Sequence, residues 1–154
     1  MAREEGAYYK AMPEPTFSVV LCDWDSARVQ SRRIRDRVFV REQGVPLELE
    51  WDEHDPHCDH ALALAADGSA LGTGRLLPDG HIGRMAVLPA WRGKGVGALL
   101  LQALVERARS KGHATARLNA QTHAAGFYRR FGFEVSGPEF MEAGLPHVAM
   151  QRDL

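Results

Sequence analysis

The stretch WRGKGVGALL, residues 91–100, places three glycines at alternate positions and then becomes an apolar run. Glycine costs a helix roughly 1 kcal/mol relative to alanine, so three of them at a helix start need a reason. The first turn of a helix has amides without partners and carries partial positive charge. Glycine leaves those amides open to a phosphate group. With Arg92 and Lys94 at the same rim, the stretch predicts an anion-binding loop.

Two familiar nucleotide loops fit this stretch poorly. A mononucleotide P-loop needs Ser or Thr after Gly-Lys to hold magnesium, whereas another glycine follows here. The dinucleotide pattern G-x-G-x-x-A matches Gly93, Gly95 and Ala98. That pattern should open a parallel βαβ unit with an acidic residue about 20 positions later. Here it follows a predicted antiparallel meander, and the next strand ends without an acid, which disfavours dinucleotide binding.

A second segment able to do chemistry is the polar loop ELEWDEHDPHCDH, residues 48–60. Carboxylates there can bind a cationic amine, and a carboxylate or histidine can accept a proton directly or through water. Our candidate bases are Glu50, Asp55 and His60. The loop also contains residues of metal-ligand type, namely His54, His57, Cys58 and His60. Their spacing matches no standard motif, so no metal is expected.

The elements around these segments alternate between strand and helix patterns. Residues 17–24 are predicted to form a strand, and a helix capped by Asp25 or Ser26 is predicted to follow as far as about Val40. Three short apolar segments follow, separated by turns that contain Asp-Gly pairs, which predicts an antiparallel meander. The remaining elements are a helix from Gly95 to about Lys111, a strand at 114–120, a short helix at 122–132 and two final strands. The order β-α-βββ-α-β-α-ββ predicts an α/β domain with a mixed sheet.

Two helical faces carry specific expectations. The first helix contains five arginines, which favour a solvated face over a surface for an anionic ligand or RNA; they are Arg28, Arg32, Arg33, Arg35 and Arg37. The second helix has apolar residues at helical spacing, which predict its buried face. They are Val96, Leu99, Leu100, Ala103, Leu104 and Ala108.

Composition bounds the class of protein. The 154 residues suit one domain, 1–154, with residues 1–15 as a loosely ordered lead-in. A net charge of -1 gives no overall excess of basic charge that would indicate binding to nucleic acid or membrane. Two cysteines favour a reducing, cytoplasmic location, and we expect neither a signal peptide nor a membrane-spanning segment.

The loop RGKGVGA resembles the R-x-x-G-x-G/A motif of the GNAT superfamily of N-acetyltransferases. Supporting stretches are VFVREQGVP, IGRMAVLPAWRGKGVG, AQTHAAGFYRRFGF and PHVAM. The resemblance covers roughly residues 17–153 and lies closest to the ElaA-like and YjcF-like branch. It implies a central mixed, mostly antiparallel, twisted sheet of about 6–7 strands flanked by helices, with strands splayed around a coenzyme A site.

The resemblance implies acetyl-CoA as cosubstrate. Its pyrophosphate would sit on the loop, and its pantetheine arm would lie along the preceding strand like an added strand. The backbone contacts expected on these two segments are Met85, Ala86, Val87, Arg92, Gly93, Lys94, Gly95, Val96, Gly97 and Ala98. A backbone amide of the strand could also polarise the thioester carbonyl.

The family pattern assigns the general acid to a tyrosine in the short helix, here Tyr128, beside core-like Phe127, Phe131 and Phe133. Many members carry an asparagine seven residues earlier that contacts the coenzyme arm. Gln121 takes that place here, and its longer amide can still donate and accept.

The resemblance implies transfer of an acetyl group to a primary amine, most simply of a small molecule, by direct attack in a ternary complex. On the acceptor side, His81 and His147 are further candidate bases or binding residues, and Arg75 and Arg84 could bind a substrate carboxylate. The alternatives are a noncatalytic acyl-CoA sensor and a small metal- or nucleic-acid-binding domain. Partners other than the amine are not expected, except that a homodimer is common in the family.

Overall fold

The structure is a computed structural model that describes residues 17–154. The predicted lead-in at residues 1–15 lies outside the described residues. The described chain forms one eight-stranded sheet with the order β1-β2-β3-β4-β5-β8-β6, and β7 pairs with β8. The strands are β1 Phe17–Cys22, β2 Asp59–Ala65, β3 Ala70–Leu76, β4 His81–Val87, β5 Thr115–Gln121, β6 Glu134–Val135, β7 Phe140–Glu142 and β8 Leu145–Asp153.

Strands β2, β3 and β4 form the predicted antiparallel meander, and β1 pairs antiparallel with β2. Two of its turns contain the Asp-Gly pairs, whose glycines Gly68 and Gly80 have φ angles of 87° and 96°. Such left-handed angles are what the tight turns require of these positions. The mixed α/β fold with a mostly antiparallel sheet is confirmed. The sheet has eight strands where six or seven were expected, because β7 was not predicted.

The sheet opens in its middle. β4 and β5 are parallel, and they pair only at His81–Arg117 and Ile82–Leu118. Beyond Ile82 the two strands diverge, although β4 continues to Val87 and β5 to Gln121. The divergence leaves backbone groups of both strands facing a gap. This is the splaying of strands that the family resemblance implies.

Four α-helices flank the sheet: α1 Trp24–Arg35, α2 Leu47–Glu50, α3 Val96–Ser110 and α4 Ala125–Arg129. α1 begins earlier than expected, because its N-cap is Asp23, two residues before Asp25, and the Asp23 carboxylate accepts from the Ser26 amide at 2.9 Å. The chain continues as a π-helical segment, Asp36–Glu42. It then turns at Gly44, whose φ of 75° favours glycine.

The main core lies between α3 and the sheet. The buried face of α3 contains the expected Val96, Leu100, Leu104 and Ala108. The prediction for Leu99 was wrong, because its side chain is 38% exposed. Leu101 and Val105 are buried instead. The stripe that meets the sheet is therefore rotated toward these two residues relative to the prediction.

Candidate active site

A cavity of about 1150 Å³ occupies the gap between β4 and β5. It is lined by much of the predicted cofactor set, namely Met85, Ala86, Val87, Arg92, Gly97, Gln121 and Tyr128. It is also lined by most of the predicted acceptor set, namely Glu50, Arg75, His81, Arg84 and His147. The splayed strands thus bring the two predicted halves of a site to one space.

The glycine loop lies at one end of this cavity. Gly93 and Gly95 have φ angles of 75° and 88°, and Gly95 is the N-cap of α3. These two glycines are therefore required by the backbone, since other residues rarely adopt such angles. Gly97 is different: it lies inside the helix, and an added Cβ would stand 3.6 Å from the Phe127 ring.

The amides after this loop are open to a ligand. The described backbone bond that starts the helix runs from the Leu99 amide to the Gly95 carbonyl at 3.1 Å. The amides of residues 96–98 precede it and so have no carbonyl within the helix to bind. A loop with positive φ, open amides and a helix dipole can hold an anionic phosphate.

Arg92 is already engaged at the edge of the cavity. Its guanidinium binds both carboxylate oxygens of Glu42 at 2.6 and 2.7 Å, and its Nε donates to the Val87 carbonyl at 3.0 Å. Glu42 belongs to the π-helical segment and was missed from the sequence. No motif spacing could have linked it to a loop 50 residues away.

Tyr128 is partly buried beneath the gap. Its ring makes edge contacts with Phe127 and Phe133, at centroid distances of 5.1 and 6.2 Å. Its hydroxyl lies 4.0 Å from the Met85 sulfur, so it faces β4 across the cavity. Burial raises the pKa of Tyr128 to about 12. The phenol therefore stays protonated at neutral pH and is able to donate a proton.

Gln121 ends β5 at the cavity wall. Its amide nitrogen donates to the Gln43 side chain at 2.9 Å, and its oxygen lies 2.8 Å from His123 Nε2. These contacts tie β5 to the turn after the π-helical segment. The amide is thus held in place within the cavity lining, although its described partners are protein groups.

Three acidic residues and three arginines form an ion network beside the cavity. They are Glu50, Asp52, Asp55, Arg35, Arg75 and Arg84. Arg35 bonds to Glu50 and donates to both Asp55 oxygens at 2.9 and 3.0 Å. Arg75 donates to Asp55 at 2.8 Å and to Asp52 at 2.7 and 2.8 Å. The expectation of a solvated arginine face was wrong for Arg35, which is 1% exposed, because these acids fold back onto α1.

Two of the candidate bases lie outside the cavity lining. Burial opposes ionisation of Asp55, but hydrogen bonds from Arg35 and Arg75 outweigh it and hold the pKa of Asp55 below its usual range. His60 is fully buried, its ring packs at a tilt against Trp24 with centroids 4.7 Å apart, and its pKa is lowered chiefly by that burial. Both side chains are therefore parts of the protein interior rather than groups that meet a substrate in the cavity.

His147 is the best-placed histidine of the cavity. It lies on β8 directly opposite Gln121, and its ring stacks on Phe140 at 5.9 Å. Its Nδ1 is 2.8 Å from the Leu145 carbonyl oxygen, which can only accept. Nδ1 therefore carries the proton in the neutral ring, and Nε2 keeps a lone pair. His81 differs, since its Nδ1 meets Asp79 at 2.9 Å and its side chain is 40% exposed.

Among residues 17–154, no group of three or more His, Cys, Asp or Glu residues could hold a metal ion. Within the same range, the helices are too short or too polar to cross a bilayer.

Known proteins match this architecture closely. A family model described as an acetyltransferase (GNAT) domain matches residues 10–154. The N-acetyltransferase YjcF of Bacillus subtilis, described as uncharacterized, is 39% identical over 124 residues, which cover 78% of this chain and 88% of YjcF.

Solved structures agree with the sequence comparison. Escherichia coli ElaA superposes with a TM-score of 0.80 at 27% identity, covering 89% of this chain and 99% of ElaA. An acyl-CoA N-acyltransferase from Pseudomonas aeruginosa gives a TM-score of 0.79 at 28% identity, covering 88% and 99%. With the sheet opened beside a glycine loop and a buried tyrosine, these matches make the chain a member of the GNAT acetyltransferase family, an acyltransferase that uses acyl-CoA as cosubstrate.

Proposed function

We propose that this enzyme transfers the acetyl group of acetyl-CoA to a primary amine of a small molecule, by direct attack in a ternary complex. The observation that carries the proposal is the single cavity between β4 and β5, which borders both the glycine loop and the acceptor residues. Among the described residues that line it, none is cysteine, serine, threonine or lysine. An acyl-enzyme intermediate on such a side chain is therefore not part of the proposal.

The coenzyme would be held by backbone groups. The amides of residues 96–98 and the positive φ angles of Gly93 and Gly95 support a pyrophosphate site on the loop. Beyond Ile82, β4 no longer pairs with β5, so its edge at Met85 to Val87 faces the gap, where an extended arm could pair with it; the Val87 carbonyl there already accepts from Arg92. An amide of that edge can also polarise the thioester carbonyl.

Tyr128 would be the general acid. When the amine attacks the thioester carbon, the carbon–sulfur bond breaks and coenzyme A leaves as a thiolate that must be protonated. The Tyr128 hydroxyl reaches the β4 side of the cavity near Met85 and remains protonated because burial raises its pKa to about 12.

His147 would be the base that takes the proton from the attacking amine. Its Nδ1 is committed to the Leu145 carbonyl, which leaves Nε2 as the acceptor, and the residue lines the cavity. Two other candidates lie at the cavity wall: Glu50 is bound by Arg35, and His81 contacts Asp79. Asp55 and His60 lie behind the lining, and we therefore do not assign them this role.

A binding titration and an activity screen test the proposal. Acetyl-CoA should bind in the micromolar range by calorimetry, whereas NAD and ATP should not. A screen of small primary amines should then reveal release of free thiol. Binding of NAD or ATP in place of acetyl-CoA would contradict the assignment of the glycine loop as the pyrophosphate site of acetyl-CoA. Acetyl-CoA binding with no turnover on any amine would favour the noncatalytic sensor.

Two further properties belong to the proposal. A cytoplasmic setting is supported by Cys22 and Cys58, both free thiols in the structure. A homodimer stays a prediction, which light scattering of the purified protein would decide.

A further inference from the structure

Arg84 has an unusual backbone for its position. It is one of two described non-glycine residues with a positive φ, at 49°. The register of β3 and β4 shifts there, since Thr73 pairs with Ala86 whereas Arg75 pairs with Gly83. Two β4 residues therefore oppose one β3 residue, which is a β-bulge. Such backbone conformations are strained for a non-glycine residue and concentrate at functional sites.

The bulge directs Arg84 into the cavity at the point where the sheet opens. Pairing between β4 and β5 ends at Ile82, two residues before Arg84, and the next residue, Met85, faces Tyr128. The Arg84 side chain is 24% exposed and lines the cavity. A ligand group bound by Arg84 would therefore lie close to the proposed site of acyl transfer.

The guanidinium of Arg84 is only loosely engaged by the protein. Its Nη2 is 3.3 Å from the carbonyls of Leu49 and Glu50 and 3.2 Å from Asp52 Oδ2, and its Nε is 3.4 Å from the Glu50 carbonyl. Charge-assisted bonds to a carboxylate are normally about 2.7–2.9 Å long. Arg75 reaches that range with the same Asp52. Arg84 thus has donors that a better acceptor could use.

The carboxylates near Arg84 each form a shorter ion pair with another arginine. Asp52 and Asp55 are both bound at shorter distances by Arg75, and Glu50 is bound by Arg35. Its Nε is 3.6 Å from the Glu50 carboxylate. Burial, followed by repulsion from Arg75, lowers the pKa of Arg84. An added anion would offset the repulsion from Arg75.

We propose that the acceptor carries a carboxylate close to its amine, as an amino acid does, and that Arg84 binds this carboxylate. The proposal rests on the proposed function and names its substrate class. It favours amino carboxylates over polyamines, amino sugars and protein lysines, none of which has a carboxylate beside the reacting amine.

Matched acceptor pairs test this inference. Each pair is an amino acid and the amine that lacks only its carboxylate, such as phenylalanine and phenethylamine, or leucine and isoamylamine. Thiol release is measured with saturating acetyl-CoA for the wild type, Arg84→Gln and Arg84→Lys. Arg117→Gln, an exposed arginine on β5 outside the cavity lining, is the control.

We expect the wild type to favour the amino acid of at least one pair by tenfold or more in kcat/KM. Arg84→Gln should reduce that ratio to about one by raising KM for the amino acid, while kcat/KM for the plain amine changes less than threefold. Arg84→Lys should restore part of the preference, and Arg117→Gln should keep all of it.

Two outcomes would overturn the inference. One is a wild type that favours the plain amine in every pair, and the other is a loss in Arg84→Gln that is equal for both members. Calorimetry with the same pairs in the presence of coenzyme A separates this inference from the proposed function. If an amino acid binds the wild type but not Arg84→Gln, and no thiol is released, acyl transfer fails while the Arg84 site stands.

Discussion

Arg92 and Glu42 form a bidentate ion pair across the edge of the cavity, with contacts of 2.6 and 2.7 Å. The same arginine closes onto the Val87 carbonyl at 3.0 Å, at the end of the strand proposed to receive the coenzyme arm. Because both side chains are more than a third exposed, the pair contributes only about 0.2–1 kcal/mol. A pyrophosphate on the glycine loop can therefore compete with Glu42 for Arg92.

This competition predicts opposite effects of two substitutions on acetyl-CoA affinity. Glu42→Gln releases Arg92 and should lower Kd by up to about fivefold, which corresponds to roughly 1 kcal/mol. Arg92→Gln removes a charged donor worth about 1.5–3 kcal/mol and should raise Kd about tenfold or more. Calorimetry measures both, with Asp36→Asn as a control that breaks the exposed pair with Arg41. If Glu42→Gln weakens binding as Arg92→Gln does, Glu42 positions the arginine rather than competing for it.

The glycines of the loop should separate by role. Gly95→Ala forces a side chain into a φ of 88° and should lower the free energy of unfolding by about 1–2 kcal/mol. Gly97→Ala meets no such strain, but its methyl group would enter the cavity beside Phe127. We expect it to keep thermal stability and to weaken acetyl-CoA binding several-fold. Equal loss of stability in the two variants, measured by urea unfolding, would contradict this division.

The local parts of this fold could be predicted from the sequence, and the long-range contacts could not. The Asp-Gly turns gave the meander and the glycine loop marked the start of α3, because both signals lie within a few neighbouring residues. Leu99 was misplaced because leucines occupy three consecutive positions, 99–101, so helical spacing alone leaves the buried face ambiguous. β7 was missed because it has three residues and turns through Ala143 and Gly144, which is a weak turn signal.

The candidate site divides in the same way. The coenzyme side was predicted mainly from one continuous stretch, residues 85–98, and the structure places Met85, Ala86, Val87, Arg92 and Gly97 of that stretch along the cavity. Their contact with a coenzyme stays a prediction. The acceptor side is assembled from β3, β4, β8 and the segment after the π-helix, so its charges depend on pairings that spacing does not encode. Arg35 illustrates this, since its partners Glu50 and Asp55 lie 15 and 20 residues away.

Tyr128→Phe should separate chemistry from binding. The variant keeps the ring contacts with Phe127 and Phe133 but has no proton for the departing thiolate. We expect kcat to fall about 10²–10⁴-fold with an unchanged Kd for acetyl-CoA. Because burial raises the pKa of Tyr128 to about 12, its deprotonation should not limit the wild-type rate below about pH 11. A basic limb near pH 8 that disappears in Tyr128→Phe would contradict this assignment.

Asp55 should govern stability in acid. Removing one partner of a buried ion pair costs about 3–5 kcal/mol, so Asp55→Asn should destabilise the fold by that amount. Asp36→Asn, at an exposed pair, should change stability by less than about 1 kcal/mol. Since the folded-state pKa of Asp55 is lowered, its contribution is complete above the unfolded pKa of about 3.9 and is lost as pH falls below it. Urea unfolding between pH 7 and pH 3 should therefore give a flatter profile for Asp55→Asn than for the wild type.

His147→Gln tests the base. Glutamine can keep a hydrogen bond to the Leu145 carbonyl through its amide nitrogen, but it cannot accept a proton from the amine. If Nε2 is the acceptor, kcat/KM should fall about 10²–10⁴-fold while acetyl-CoA affinity is retained. His57→Gln, at an exposed histidine outside the cavity lining, should behave as the wild type. Activity of His147→Gln within threefold of the wild type would exclude the imidazole as base. In that case Glu50→Gln becomes the informative variant, because Glu50 is the carboxylate among the original base candidates that lines the cavity.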